Sequence, residues 1–332
     1  MQFQIIKNMY NNLKNLVRRG LYIVFQISHS QGSKKNIVLF STRRGGSTWL
    51  SQVISSGETN LRYYDHIFSW YQTDFYSRKF FNVYKNNQEI YATTNNIDYF
   101  ELVNSGRHIA RTVVDPFAKD FVRKSTRLLY KVTEGKGLFD WFVKNRSIEV
   151  VYQVRHPIPT ALSVMRLGWD LTIDAYLNND KFIDEYLKGD KFDYCIRIND
   201  GNDMLSKYVL NWVLENLIPL NSKNLSSTLI ISYEETIMNP EKIINLLNEK
   251  LDLESTQLMI KTLIVPSRSS SLSESTTITK MFDRDVESLL SRWKKEINNK
   301  RERELMGILE KFDIDLYLYN DLLLNSRYII RT

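Results

Sequence analysis

Apolar positions along the chain follow two rhythms. Short unbroken runs at 36–40 (Asn36-Ile37-Val38-Leu39-Phe40), 148–154 and 228–232 have the length and β-branched content of strands buried on both faces. A fourth run, Leu128-Leu129-Tyr130-Lys131-Val132-Thr133, reads as a strand carrying one lysine. Between these runs, apolar residues recur at helical spacing: Trp49, Leu50, Val53 and Ile54; then Ala161, Leu162 and Met165; then a stretch beginning at Pro240. Pro157 suits the first turn of the second of these helices, where its missing N–H costs nothing. A charged helix containing Trp293 is expected over 291–309. Strands alternating with helices predict an α/β fold, with a central, mainly parallel sheet flanked by helices and right-handed crossovers.

The ends of the chain differ from this frame. Residues 1–30 read as a basic helix, with Ile5, Ile6, Met9, Leu13 and Leu16 beside Lys7, Lys14, Arg18 and Arg19. Such a helix docks on the domain or lies on a membrane surface as a peripheral contact. Gln31-Gly32-Ser33-Lys34-Lys35 breaks it, so the division expected is an N-terminal helical extension, 1–32, and one domain, 33–332. A Ser/Thr-rich run, 266–277, is long enough to be a functional or disordered loop.

Composition changes this picture little. The 332 residues are 43% hydrophobic and 25% charged, which excludes disordered, collagenous and coiled-coil classes. A single cysteine, Cys195, excludes an internal disulfide. No run approaches the roughly 18 to 20 apolar residues of a membrane span, and 21–27 is too short for one. The net charge of +7 favours polyanionic ligands, but no basic run is long enough for a nucleic-acid tail, and nucleic acid is not an expected partner. No His, Cys and carboxylate set has metal-ligand spacing, so no metal is expected.

The candidate chemistry lies at the strand ends. The first strand runs into Ser41-Thr42-Arg43-Arg44-Gly45-Gly46-Ser47-Thr48 and then a helix. A glycine pair opening a helix lets backbone N–H groups face an anion, with the helix dipole in support. Ser47 and Thr48 add hydroxyls, and Arg44 adds a fixed planar cation. The nucleotide-triphosphate loop (Gly, four residues, Gly, Lys, Ser or Thr) does not fit. With Ser47 last, Phe40 and Gly46 stand where Gly and Lys belong; with Thr48 last, Ser41 and Ser47 do. A second anion site follows the 148–154 strand, where Arg155 closes the strand and Ser163 lies eight residues on, about two turns into the next helix. Open α/β sheets bind ligands at such strand ends.

In these features the chain resembles the sulfotransferases that use 3′-phosphoadenosine-5′-phosphosulfate (PAPS). Their 5′-phosphosulfate loop carries a basic residue, Ser or Gly, Gly, two hydroxyl residues, Trp and Leu or Ile. Here Arg43-Arg44-Gly45-Gly46-Ser47-Thr48-Trp49-Leu50 has that order. Arg155-His156-Pro157 with Ser163 has the spacing of the family's 3′-phosphate site, and Tyr233-Glu234-Glu235 before Asn239-Pro240 is similar to a third motif. Arg292-Trp293-Lys294 matches a late basic helix, so the ordered matches span about 36–296.

The resemblance implies sulfuryl transfer from PAPS, leaving 3′,5′-adenosine bisphosphate (PAP), to a hydroxyl or amine of an acceptor. It implies a cofactor seat of Arg43, Arg44, Gly45, Gly46, Ser47, Thr48, Trp49, Arg155, Ser163, Tyr233 and Arg268. Arg44 would steady the charge developing on the leaving oxygen, and Trp49 would stack on adenine. Glu134, after Lys131-Val132-Thr133, is the first candidate base, with Asp65-His66 second. Acceptor specificity is expected from 60–125 and 165–210, whose aromatics Tyr63, Tyr64, Trp70, Tyr71 and Trp169 favour a carbohydrate or glycolipid. With no anchor visible, a cytoplasmic enzyme is expected. The alternatives are a nucleotide or small-molecule kinase with a degenerate loop, and a non-catalytic polyanion-binding module.

Overall fold

In the computed structural model, the described residues are 28–64, 94–105, 121–133, 135–265 and 286–328, with isolated positions between 9 and 24. The first half of the chain forms β1 (Asn36–Phe40), α1 (Ser47–Ser56), β2 (Leu61–Tyr64), α2 (Thr94–Asn104), β3 (Arg127–Val132), α3 (Phe139–Lys144) and β4 (Ile148–Val154). Helices α4 (Pro157–Arg166), α5 (Ile173–Leu177), α6 (Asp180–Tyr186), α7 (Lys191–Asp200) and α8 (Met204–Leu220) then lead to β5 (Leu229–Ser232). The remainder is α9 (Tyr233–Met238), α10 (Pro240–Leu251), α11 (Thr256–Leu263), α12 (Val286–Leu290) and α13 (Asn299–Glu310). The expected α/β architecture is present, with the five strands in one sheet, ordered β2-β3-β1-β4-β5 and parallel at every pairing.

The order follows from which face each strand residue buries. Along β1, Ile37 and Leu39 join one core with Leu50 and Val53 of α1 and Ile244 and Leu247 of α10. Val38 and Phe40 join the opposite core with Phe100 of α2, Phe139 of α3 and Leu210 of α8. The step from β1 to β2 runs one way along the sheet and those from β2, β3 and β4 run the other. Right-handed crossovers therefore put α1 on one face and α2, α3, α4 and α8 on the other. Chain direction along the sheet reverses at β1, which leaves a crevice between the C-terminal ends of β1 and β4.

Three elements differ from the sequence pattern. β2 is a four-residue edge strand that the apolar run was too short to signal, and it takes Tyr64 wholly into the core. The expected helix over 291–309 is two elements: a 3-10 turn (Arg292–Lys295) burying Trp293, then α13, restarted where the Asn298 side chain accepts from Arg301 N–H at 2.9 Å. The Tyr233-Glu234-Glu235 motif is itself helical, capped by Ser232, and breaks before Pro240 starts α10. The described positions between 9 and 24 are helical, with Met9, Leu13 and Leu16 exposed. Among the described residues, no helix is long and apolar enough to cross a membrane.

Phe40 packs edge-on against Phe139 and Phe142 at ring separations of 5.4 and 5.5 Å, immediately beneath the candidate loop. Phe40→Ala is expected to cost about 3–5 kcal/mol of unfolding free energy in a urea titration; a loss below about 1 kcal/mol would mean that this cluster does not support the strand end.

Candidate functional site

The site is built from the segments that leave β1 and β4. After Phe40 the chain turns through Ser41–Gly46 into α1, with Arg44 at φ 63° and Gly46 at φ 89°, both left-handed. That conformation is open to glycine and costs other residues of order 1 kcal/mol. Gly46 has a second reason to lack a side chain: a Cβ there would lie 2.6 Å from Cδ2 of Tyr233. A Cβ on Gly45 would lie 2.5 Å from Ser41 Oγ. The loop is thus closed on itself below and on Tyr233 at its side. No side chain caps α1, and no acidic residue stands in its first turn. Its leading N–H groups therefore suit an anion.

β4 supplies the second half. The Arg155 guanidinium lies over the Tyr233 ring at 4.2 Å, and its Nη1 donates to the Arg44 carbonyl at 2.9 Å. Arg44 Nε in turn donates to Ser163 Oγ at 3.0 Å. The two segments expected from sequence to bind anions are therefore joined through Arg44 into one basic cluster. The Arg155 Nε, the Thr42 hydroxyl and both amide atoms of Gln153 are buried at this cluster with no hydrogen-bond partner among the described residues. Leaving such a group unpaired costs about 1–3 kcal/mol. Their gathering around a single loop makes that loop the candidate site.

Arg155 is held from behind. The N–H of His156 donates to Glu234 Oε1 at 3.0 Å, and Glu234 Oε2 accepts from Tyr317 at 2.8 Å and Ser232 at 3.0 Å. Burial raises the Glu234 carboxyl above its ordinary pKa, opposed by the Arg155 charge. His156 caps α4, its Nδ1 accepting from Ile158 N–H, which requires that nitrogen to carry no proton. It stacks on Trp293 at 4.8 Å. Burial, then the Lys294 and Arg155 charges, push its pKa down to about 3.

The remaining expected residues divide. Trp49 is buried at the seat's edge, its indole N–H donating to the Leu263 carbonyl and its ring edge-on to Tyr233 at 5.7 Å. Arg43 points to the α4–α5 turn, donating to the Asp170 carbonyl at 2.9 Å and lying 3.7 Å from Glu215. Of the acceptor aromatics, Tyr64 is core, while Trp169 is 40% exposed beside Asp170. Glu134, Asp65, His66, Arg268, Trp70 and Tyr71 lie outside the described residues. Lys131, the strand-end lysine that precedes the candidate base Glu134 in the sequence, donates from its Nζ to Thr48 Oγ1 at 2.9 Å from within β3. A lysine in the run Leu128–Thr133 was the sequence signal for it. Lys136, Gln153 and Glu215 carried no such signal.

No family model matches the chain, and no curated protein sequence matches it. Among solved structures it is similar to the sulfotransferase domain of the curacin biosynthetic pathway at 13% identity, over 86% of this chain and 99% of that one, TM-score 0.40. The sulfotransferase domain of the Synechococcus PCC 7002 olefin synthase gives 15% identity over 87% and 99%, TM-score 0.41. A mouse sulfotransferase complexed with PAP gives 16% over 88% and 89%, TM-score 0.37. These are remote likenesses.

The His156 pKa sets a pH dependence. The native state leaves His156 unprotonated where the unfolded chain, near 6.5, takes up a proton, so its contribution is full above about pH 6.5 and is lost as pH falls towards about 3. His156→Asn keeps a cap acceptor without titrating, and its unfolding free energy is expected to fall less steeply than wild type between those limits. Identical slopes would place His156 in a solvated, ordinary environment.

Proposed function

We propose that the chain is a PAPS-dependent sulfotransferase that moves a sulfuryl group to a hydroxyl or amine of an acceptor. The observation that carries this reading is the linkage of Arg155, Arg44 and Ser163 into one basic seat across the ends of β1 and β4. A nucleotide with anions at both its 5′ and 3′ positions matches such a seat, and the loop lacks the lysine that a triphosphate loop needs. The residues fit PAP and PAPS: the buried Arg155 Nε lacks a partner among the described residues, the glycine pair closes the loop, and Arg44, Lys131 and Arg155 bring positive charge to it.

PAPS would supply an activated sulfuryl group on a phosphate leaving group. In this reading the N–H groups at the start of α1, with Ser47 and Thr48, hold the 5′ end. The Arg44 guanidinium would neutralise charge gathering on the leaving oxygen, as would Lys131 through Thr48. Arg155, Ser163 and Arg268 hold the 3′-phosphate. Trp49 and Tyr233 border the base, Tyr233 being fixed between Gly46 and Arg155. Glu134, next to Thr133 at the end of β3, takes the acceptor's proton, with Asp65 and His66 as the second choice. The half-exposed Trp169 supports a carbohydrate or glycolipid acceptor, since a sugar ring stacks on such a face.

In a thermal-shift comparison, PAP at about 100 times its Kd should stabilise the wild type by about 2.7 kcal/mol, whereas ATP with magnesium should not. Arg155→Ala should lose most of the PAP effect. Stabilisation by ATP alone, or by PAP equally in both proteins, would remove this reading. With labelled PAPS and a panel of 4-nitrophenol, N-acetylglucosamine and an alkyl glycoside, Glu134→Gln should cut transfer by about 10²–10⁴-fold while PAP still stabilises it. Full activity in that variant would shift the base to Asp65 or His66.

A further inference from the structure

A buried carboxylate outside the phosphate seat ties together three loops at the same end of the sheet. Glu215 lies on α8, in a stretch where Val209, Leu210, Val213 and Leu214 are wholly buried and apolar. Its Oε1 is 3.7 Å from Arg43 Nη2 in the β1–α1 loop and accepts from Asn211 at 2.8 Å and from Thr172 Oγ1 at 3.4 Å. Its Oε2 is 3.8 Å from Lys136 Nζ in the β3–α3 loop. Thr172, in the α4–α5 turn, also gives its N–H and hydroxyl to Asn211. Lys136 donates to Asn216, which accepts from Tyr152 of β4 as well.

Stability alone does not account for this set. Replacing a buried ion pair or triad with apolar residues of similar volume is often neutral or stabilising. A lysine 4% exposed is costly to keep charged, and burial pushes its pKa down to about 8, with Glu215 opposing the fall and Arg43 adding to it. What the network does provide is register. Arg43 adjoins Arg44 of the phosphate loop, Lys136 lies just past the strand end at Thr133, and Thr172 closes the turn that carries Trp169. These three segments border the space where an acceptor must lie against the end of β1.

We propose that Glu215 is a positioning residue for transfer: by binding Arg43, Lys136 and the Asn211–Thr172 pair, it fixes the acceptor-side loops relative to the phosphate seat. The proposal rests on the sulfotransferase reading for its reaction and on geometry for its clamp. Glu215 pairs with Arg43 and Lys136, and Arg43 is turned from the seat towards the Asp170 carbonyl, so nucleotide binding is separable from it.

The test uses the full chain and labelled PAPS, with the acceptor found in the panel above. Failing one, water serves: its oxygen bonds to sulfur, the bond from sulfur to the phosphate oxygen breaks towards PAP, and the water's proton leaves to solvent. Glu215→Gln is expected to lower kcat by about 100-fold, to leave KM for PAPS within about two-fold, and to leave the PAP thermal shift intact. Amide exchange in 41–46, 135–138 and 167–172 should rise together while β1 and β4 stay protected. Lys136→Met with Glu215→Gln removes both charges, keeps the fold if the single variant does not, and should show the same fall in kcat. Unchanged kcat and exchange, or loss of the PAP shift along with kcat, would overturn the proposal. Failure of PAP to stabilise the wild type would remove the sulfotransferase reading instead, and the exchange pattern would still decide the clamp.

Discussion

The ring of Tyr233 is pressed between a backbone and a charge. Gly46 approaches its Cδ2–Cε2 edge so closely that even a methyl group would collide, and the Arg155 guanidinium lies over the ring at 4.2 Å. Tyr233 is the first residue of α9, directly after β5, so the edge of the sheet sets the distance between the loop that follows β1 and the arginine that follows β4. Cation–π attraction on a part-buried ring contributes of order 1 kcal/mol. Its larger consequence is geometric, because a rigid aromatic spacer leaves Arg155 Nη1 within reach of the Arg44 carbonyl.

Behind that spacer the polar groups are arranged so that each cation serves one side. Glu234 binds the backbone of the Arg155-His156 turn and Tyr317, and His156 stays neutral against Trp293. Glu215 binds the cations of the other side, Arg43 and Lys136. Arg44 and Lys131 bond instead to hydroxyls, of Ser163 and Thr48 respectively. Among the described residues, each of these buried carboxylates bonds to different loops, Glu234 to the one after β4 and Glu215 to those after β1 and β3.

Local chemistry was readable from sequence; distant pairing was not. The β1–loop–α1 unit announces itself because an apolar run, a glycine pair and a helical stripe are contiguous, and Arg155 and Ser163 are only two helical turns apart. Tyr233 was legible as a motif, but its contact with Gly46 was not, because nothing in either segment encodes the sheet order that joins them. Glu215 and Lys136 carry no signal of their own in the sequence, and only the packed structure shows that both are buried. β2 is too short for its pattern to rise above the surrounding aromatics, and Asn298 restarts a helix that charge pattern alone runs through. The bases proposed for the reaction, Glu134, Asp65 and His66, stand outside the described residues and rest on sequence.

The central claim is that Arg155 and the phosphate loop form one seat for a nucleotide bearing anions at both ends. Calorimetric titration with PAP and with AMP, which lacks the 3′-phosphate, tests it most directly. Wild type should bind PAP at least about 10-fold more tightly than AMP, about 1.4 kcal/mol, and Arg155→Ala should bring the two affinities together. Equal affinities in the wild type, or a preference for PAP that survives the substitution, would contradict the account.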